Sequence, residues 1–579
     1  MPGLGRAPFL AMRPAAFCRL AAAVVVGTAA ATAGASPPPP STGIGGGQGV
    51  PSVARDGDSR ASCAPAVEDT YAMPPTPLHL INSWLATDTQ AMALRDASAA
   101  NATDCHPGGD KLVPCYDAPA IGSGAAALGE GWYVGLTDRG PNQDCEDLAD
   151  SGRHPAAEGK KGKGFPIPAF SPSLIYYKLR HGHYQRGGDR RGEVRFAKAV
   201  PFTGTRGERV SGLPNSPRDD TPYAGNCAGE PLPYNVSGVD PEDVAPIPGT
   251  RLLVVVEEYA PSVMVLSSVS GEILARYVPE SVAPSLAGAP YPIISGLPSV
   301  FAGRRKNRGF ESLSVAPSGT HLYAVLQSPL GDKKAPGLAT TTLVRGLKMR
   351  IHVTSRDAAT LTYDSQFAYE ASGPAAWTVA SKQPVKPTKI KLSAAAAIGD
   401  TSFLLLERAP EQVRLFRVDM AANTTNLDDT PYAASTALEA ETGGTRRAAA
   451  MGVTPAQKRL LWDSAATRGW EAAGAVAQQE GLVVDRKGKR VLMVSDNDFG
   501  IEDGSTMVTA IALGRPLDGC TACASDANGA AGVNVTPGSC PRAAPFKRAK
   551  NVINVKEVVG KKSCWGVFRC TQGGKKDDD

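Results

Sequence analysis

This sequence predicts an all-β fold built from repeated hairpins, on three observations. There are 62 Gly and 48 Pro among 579 residues, about 19% against a usual ~12%, so turns are frequent and long helices few. Between about 120 and 515 the apolar residues fall in short runs bounded by turn signals, among them RLLVVVEE, THLYAVLQ, SFLLLER and KRVLMVSD, the pattern of buried strands. One strand–turn–strand unit then recurs along that stretch. Hydrophobic residues at 42% and charged residues at 20% allow a sizeable core and exclude wholesale disorder. A net charge of +5 over this length excludes the concentrated basic face of a nucleic-acid binder.

Residues 1–35 read as a signal peptide. No Asp or Glu precedes Asp56, and Arg6, Arg13 and Arg19 lead into an apolar run from Leu20 to Ala33. That run is too short to span a bilayer, and Ala33-Gly34-Ala35 before Ser36 offers a small-x-small cleavage site. A transit peptide rich in Arg and Ala is the alternative. Residues 36–70, rich in Pro, Gly and Ser, read as a linker, and 76–100 as one short helix. The repeats define a domain over 71–515, followed by a Cys-rich tail over 516–579. No later segment has 18 continuous apolar residues, so no stable membrane insertion is expected. The expected product is a secreted or extracellular monomer; a periplasmic or organelle-lumen protein is the alternative.

Cysteine usage agrees with export. Cys18 leaves with the signal peptide, and ten remain: Cys63, Cys105, Cys115, Cys145 and Cys227, then Cys520, Cys523, Cys540, Cys564 and Cys570. None lies between Cys227 and Cys520, so disulfides are expected to staple the two ends and spare the centre. With five at each end, either a bridge joins the ends or two thiols stay free. Cys520-x-x-Cys523 lacks the second pair or nearby His that a zinc site needs. Glycosylation sequons stand at Asn101, Asn235, Asn423 and Asn534.

The recurring unit begins at Val239 (VDPEDVAPIPGTRLLVVVEEYAPSVMVL), Gly309 (GFESLSVAPSGTHLYAVLQSPL) and Gln479 (QEGLVVDRKGKRVLMVSDNDFG). Weaker copies start near Ala120 (AIGSGAAALGEGWYVGLTDRGPN) and Lys391 (KLSAAAAIGDTSFLLLERAP). Glu242 and Glu258 are equidistant from a point beside Gly249, Glu311 and Gln327 from Gly319, and Glu480 and Asp496 from Gly488. Gly122 and Asp138 flank the Gly129–Gly131 turn in the same way, and Ser393 and Glu407 straddle Gly399-Asp400. Residues equidistant from a hairpin turn lie opposite one another, so each unit is expected to carry a polar pair at its open end. Hairpins repeated over some 400 residues with no helical period between them predict a β-propeller. The copies begin 69, 82 and 87 residues apart, wider than the ~40–45 of a blade. Insertions or unrecognised blades fill the gaps, and six or seven blades are expected.

Glu242, Asp243, Glu257, Glu258, Glu311, Glu480, Asp496 and Asp498 would crowd onto one rim of such a propeller. Close carboxylates repel unless a cation or an arginine neutralises them, and hard oxygen ligands in number favour Ca²⁺. The candidate metal set is Glu242, Glu258, Glu311, Glu480, Asp496 and Asp498. The alternative is that each acid caps its hairpin or pairs with Arg139, Arg308 or Arg408. Rival hydrolase motifs are incomplete. Arg180-His181-Gly182 lacks the arginine that would continue a histidine-phosphatase signature, and no G-x-S-x-G, P-loop or dinucleotide fingerprint in a strand–helix context occurs.

GFESLSVAPSGTHLYAVLQSPL, VDPEDVAPIPGTRLLVVVEEYAP, FLLLERA, EGLVVD with SDNDFG, and LTDRGPN, in order from about 120 to 515, together resemble the phytase-like family, also described by an esterase-like activity of phytase. FPIPAFSPSLIYYKL from Phe165 is similar to the family's strand after the first hairpin. The resemblance implies an exported propeller with phosphoester- or ester-hydrolysing activity; Ca²⁺ held by the rim acids would assist it, and the substrate-binding candidates are Asp138, Arg139 and Arg308. A non-catalytic extracellular binding propeller with structural rim acids is the alternative. Two positions depart from the family pattern: Gln327 and Ser393 stand where an acidic residue is usual, which puts a complete ring of ligands in doubt.

Overall fold

The computed structural model describes residues 65–517 apart from 101–113, 153, 182–190, 379–383, 444–446, 468, 471–477, 486–489, 502–504 and 514–516. In chain order, β1 (Ala66–Ala72) leads through α1 (Leu78–Ile81) and α2 (Thr89–Ala100) to the hairpin β2 (Ala125–Gly129) and β3 (Trp132–Leu136). An excursion holds β4 (Gln143–Asp144), α3 (Cys145–Asp150) and β5 (Lys163–Phe165) before β6 (Ser173–Arg180), β7 (Arg191–Pro201) and β8 (Pro222–Ala224). Next come β9 (Pro241–Pro246), β10 (Leu252–Glu257), β11 (Ser262–Ser267), β12 (Ile273–Pro279) and β13 (Ile293–Leu297). They are followed by β14 (Phe310–Val315), β15 (His321–Leu326), β16 (Leu343–Ser355) and β17 (Ala358–Glu370), then β18 (Lys391–Ala397), β19 (Ser402–Ala409), β20 (Gln412–Asp419) and β21 (Gln457–Asp463). The last three are β22 (Gln479–Val484), β23 (Arg490–Ser495) and β24 (Met507–Ala512).

These strands make a β-propeller, with five blades among the described residues. The second, third and fourth blades are the sheets β9 to β13, β14 to β17 and β18 to β21, each running outward in chain order. The first is β2-β3-β6-β7, and the fifth is β22-β23-β24 completed by the N-terminal β1, which pairs antiparallel with β24. β1 also pairs in parallel with β7, so the first and fifth blades form one eight-stranded sheet. The inner strands close a ring: β2 lies against β9, β9 against β14, β14 against β18, β18 against β22, and β22 against β2. Against the six or seven blades expected, five are seen among the described residues, and long elements and insertions account for the wide repeat spacing. β16 and β17 alone have 13 residues each, and 420–456 joins β20 to β21 without a strand.

Strands that are apolar at every position explain the closure. In β10, Leu252, Val254 and Val256 enter the core shared with the third and fourth blades, while Leu253 and Val255 enter the core shared with the first. In β19, Phe403 and Leu405 face the third blade, and Leu404 and Leu406 face the fifth. Side chains alternate along a strand, so a strand sandwiched between two blades needs apolar residues on both faces. Near the axis the room is smaller. A Cβ at Gly309 would lie 2.5 Å from Glu258 Cα, and one at Gly124 would lie 2.7 Å from Asp243 Cα. Glycine at these two positions lets neighbouring blades approach and sets the backbones of two acids against the next blade.

Several boundaries differ from the sequence reading. The linker assigned to 36–70 ends earlier, because Ala66–Ala72 is the outermost strand of the fifth blade; AVEDTYA lacks the apolar alternation that would mark it as a strand. The single helix expected over 76–100 is broken by a 3₁₀ turn at Ser83–Ala86, and Asp88 accepts the amides of Gln90 and Ala91 at the start of α2. Cys145 and Cys227 form a disulfide that binds α3 to the excursion around the small sheet β4-β5-β8, and Cys115 is disulfide-bonded as well. Cys63, Cys105, the five C-terminal cysteines, Asn101, Asn534 and residues 1–35 lie outside the described residues. Asn235 is half-buried with Oδ1 accepting from Ser237, and Asn423 is exposed. No helix among the described residues is long and apolar enough to cross a membrane.

Candidate functional site

Three inner strands carry one extra residue at the same place. Pro241 faces Glu257 and Asp243 faces Val256, which leaves Glu242 over. Phe310 faces Leu326 and Ser312 faces Val325, which leaves Glu311; Gln479 faces Ser495 and Gly481 faces Val494, which leaves Glu480. The inner strand of the fourth blade shifts likewise between Leu392 and Ala395, at Ser393 and Ala394. A β-bulge re-aims a side chain out of the alternating pattern, here at one end of four of the five inner strands. The expectation that Glu242, Glu311 and Glu480 sit directly opposite their hairpin partners is therefore off by one residue. Their equivalence from blade to blade is what the bulges create. Gln327 still reaches back across the hairpin and donates to Oε1 of Glu311.

Glu242 and Glu258 meet Asp240, and one oxygen from each of the three lies within 4.8 Å of the other two. All three are buried. Arg139 is the one guanidinium among them, 3.1 Å from Asp240 Oδ2, 3.7 Å from Glu258 Oε2 and 4.0 Å from Asp138. It is anchored by Asn307 Oδ1 at 2.6 Å and lies over the Tyr259 ring. Asp240 Oδ2, Glu258 Oε2 and Glu311 Oε2 are buried and accept no hydrogen bond. Burial, and then the neighbouring carboxylates, push Glu242 well above the usual range. In Asp240 burial raises the carboxyl more than Arg139 lowers it. One guanidinium shared among several carboxylates, with buried oxygens that accept no hydrogen bond, fits the donor set of a hard divalent metal ion.

A basic group adjoins this acidic one. Arg408 joins Glu480 directly, lies 3.6 Å from Glu311 and donates from Nε to Ser393 Oγ at 2.6 Å. The serine that breaks the acidic pattern thus leaves room for an arginine serving two neighbouring blades. Lys391, opposite Arg408 in the ladder, makes no hydrogen bond or ion pair among the described residues. Burial, then Arg408 and Arg308, lower its amine to about 7. Glu311 is pushed up to about 7 by burial and by Glu258. Arg308 donates to Ser328 Oγ at 3.3 Å and has no carboxylate at ion-pair distance among the described residues.

The other rim acids are engaged. Asp243 spans three blades: Oδ1 accepts the amide of Val244, and Oδ2 those of Leu313 and Ala395. Glu257 is paired with the buried Arg276 at 2.7 Å. Glu407 accepts from Lys458, Tyr369 and the Ser372 amide. Asp496 accepts from Ser123 Oγ and from the amide of Asp498; Asp498 itself lies in a turn at φ 47°. Asp138 accepts the amide of Gly140, its carboxyl raised by burial and then by Asp496. Of the candidate ligands, then, Glu242 and Glu258 converge with Glu311 alongside, whereas Glu480 is held by Arg408, and Asp496 and Asp498 are tied into their own turn. Of the candidate substrate-binding residues, Arg139 is occupied by carboxylates and Asp138 by its turn, leaving Arg308 available. Asp240 and Lys391 were missed. Asp240 is readable in retrospect from VDPED, two residues before Glu242; Lys391 carries no signal until the ladder places it beside Arg408.

The model of the family described as Phytase-like, esterase-like activity of phytase, matches residues 123–499. No curated protein matches the chain. Among solved structures, the periplasmic gluconolactonase of Pseudomonas aeruginosa is similar at 12% identity, covering 68% of this chain and 88% of that one with a TM-score of 0.24. Regucalcin from Agrobacterium tumefaciens, described as a calcium-binding protein, is similar at 8% identity, covering 61% and 90% with a TM-score of 0.21.

Proposed function

The chain belongs to the phytase-like family, esterase-like activity of phytase, and on that premise we propose that it is an exported, metal-assisted hydrolase of small phosphoesters or esters. The observation that carries the reading is one juxtaposition: buried carboxylate oxygens that accept no hydrogen bond and share one arginine, beside a second arginine with no carboxylate at ion-pair distance among the described residues. Asp240, Glu242 and Glu258 would hold the cation, and their all-oxygen chemistry favours Ca²⁺. A bound divalent ion supplies charge that polarises a phosphoryl or carbonyl oxygen and makes a water more acidic.

The chain's own residues do the rest. Arg308 and Lys391 face the acidic group electrostatically and would orient the anionic part of a substrate. Glu311, held near neutrality, can give or take a proton at Oε2, since a group with a pKa near the working pH serves best in proton transfer. Gln327, donating to Oε1, keeps Oε2 as the free face. Glu480, Glu257 and Glu407, each paired with a cation, are structural and outside the reaction. The buried Cys145–Cys227 disulfide is in keeping with an oxidising compartment.

The test is hydrolysis of p-nitrophenyl phosphate and p-nitrophenyl acetate by the full chain, with calcium and with chelator. Calcium-dependent turnover lost in Glu258→Gln and in Arg308→Gln supports the reading. Absence of turnover on both, with calcium bound, would instead favour the non-catalytic binding propeller.

A further inference from the structure

Next to the acidic mouth, and separate from the three carboxylates, is a cavity of about 310 Å³ whose wall is mostly cationic. Arg304, Arg305, Lys306, Arg308 and Lys333 line it, with Ser328 as a neutral donor and Asp332 as the acid in its lining, and Arg304 is already paired with Asp219. Lys306 is neutralised by Asp220 at 2.6 Å. Arg305 is not neutralised in this way. It is 8% exposed, its guanidinium donates to the backbone carbonyls of Gly331 and Leu338, and no carboxylate among the described residues stands at ion-pair distance. Arg308 is half-buried, donates to Ser328 Oγ and likewise has no carboxylate at ion-pair distance among the described residues. Burial, and then the charge of Arg308, lower Arg305 to about 10. A guanidinium taken out of water with only backbone carbonyls as hydrogen-bond partners, as in Arg305, is costly, and a bound anion lowers that cost.

We propose that this cavity is an anion subsite for a tetrahedral oxyanion, a phosphate group, held by Arg305 and Arg308 with Ser328 donating and Lys333 at the entrance. Planar guanidiniums with several N–H donors suit phosphate oxygens. The volume suits a small group rather than a polymer. Arg308 belongs to both this cavity and the acidic mouth, so a phosphate bound here lies beside the proposed hydrolytic centre. The subsite does not depend on hydrolysis taking place.

Inorganic phosphate titrated calorimetrically into the full chain in the presence of chelator tests it. Saturable binding is expected, weakened about tenfold or more by Arg305→Gln and by Lys333→Glu, since each removes a charge-assisted contact. Lys333 is exposed, so K333E keeps the wild-type melting temperature and guards against a folding artefact at Arg305. Phenyl phosphate in a second arm distinguishes the sources: binding with the same variant pattern assigns the subsite to a substrate's phosphate, and binding of inorganic phosphate alone assigns it to the free ion. Absence of saturable binding in both arms overturns the proposal. So does binding that requires calcium, which places the anion on the carboxylate site, or binding undiminished in K333E. Failure of the hydrolysis assay leaves this titration unaffected, which keeps the two readings apart.

Discussion

Gln327 donates its side-chain amide to Oε1 of Glu311, and the other oxygen of that carboxylate is buried without a hydrogen bond. Glutamine at this position supplies a donor to the carboxylate and leaves Glu311 half satisfied.

The first prediction concerns pH. Burial, and then Glu258, raise Glu311 from 4.5 to about 7, so between those values the folded chain holds a proton that the unfolded chain has released. Stability therefore falls as pH rises through that window. Glu311→Gln removes this contribution, so its stability relative to wild type increases from pH 4.5 to 7 in the metal-free protein. Lys391 has the opposite sign: lowered from 10.5 to about 7, it contributes stability that grows as pH rises from 7 to 10.5, and Lys391→Met removes that rise. Denaturant midpoints of the three proteins across pH 5 to 10 check both slopes. Parallel profiles would contradict them.

Arg408 is the cation that Glu480 and Glu311 share. Arg408→Met leaves Glu480 buried beside a second acid, and the expected cost is ~3–5 kcal/mol. The double variant Arg408→Met with Glu480→Leu recovers much of it. Urea unfolding measures the difference, and equal midpoints for R408M and wild type would remove the ion pair from the account.

Asp243 is expected to matter to folding rather than to metal binding. It accepts amides from its own blade and from the third and fourth, and its carboxyl is raised by burial against the lowering effect of those bonds. Asp243→Ala orphans three amides at on the order of 1–3 kcal/mol each. Asp243→Asn, which keeps one oxygen, costs less. Loss of stability without loss of calcium affinity relative to folded protein is the expected combination, read by thermal unfolding beside a calcium titration.

The Cys145–Cys227 bridge spans 82 residues of sequence, and its removal is expected to cost ~2–5 kcal/mol. The Cys145→Ala/Cys227→Ala variant should melt below wild type under non-reducing conditions. An unchanged melting temperature would mean that the excursion carrying β4, β5 and β8 is held by its other contacts.

The propeller was legible because its strands are apolar on both faces and because hairpins repeat around glycine turns. The blade count was not, since the spacing between Glu242, Glu311 and Glu480 measures insertions as well as blades. The same three glutamates were found by counting from the turns, but the bulge that singles them out adds a residue no count can register. Which acids remain unpaired was hidden for another reason. Glu480 and Glu311 look alike in sequence, and only the long side chain of Arg408, from another blade, tells them apart. Asp240 was overlooked because the repeat was aligned on the residue after Pro241, while the third corner of the carboxylate group stands before it.

The central claim is that Asp240, Glu242 and Glu258 hold a divalent cation at the mouth of the propeller. Isothermal titration of the chelator-stripped chain with Ca²⁺, compared with Glu242→Gln and Glu258→Gln, tests it most directly. The account predicts saturable binding in the wild type and a loss of affinity of at least about tenfold in each variant, with metal-free melting temperatures no lower than wild type because repulsion is relieved. Binding that is absent in the wild type, or unchanged in both variants, would contradict it.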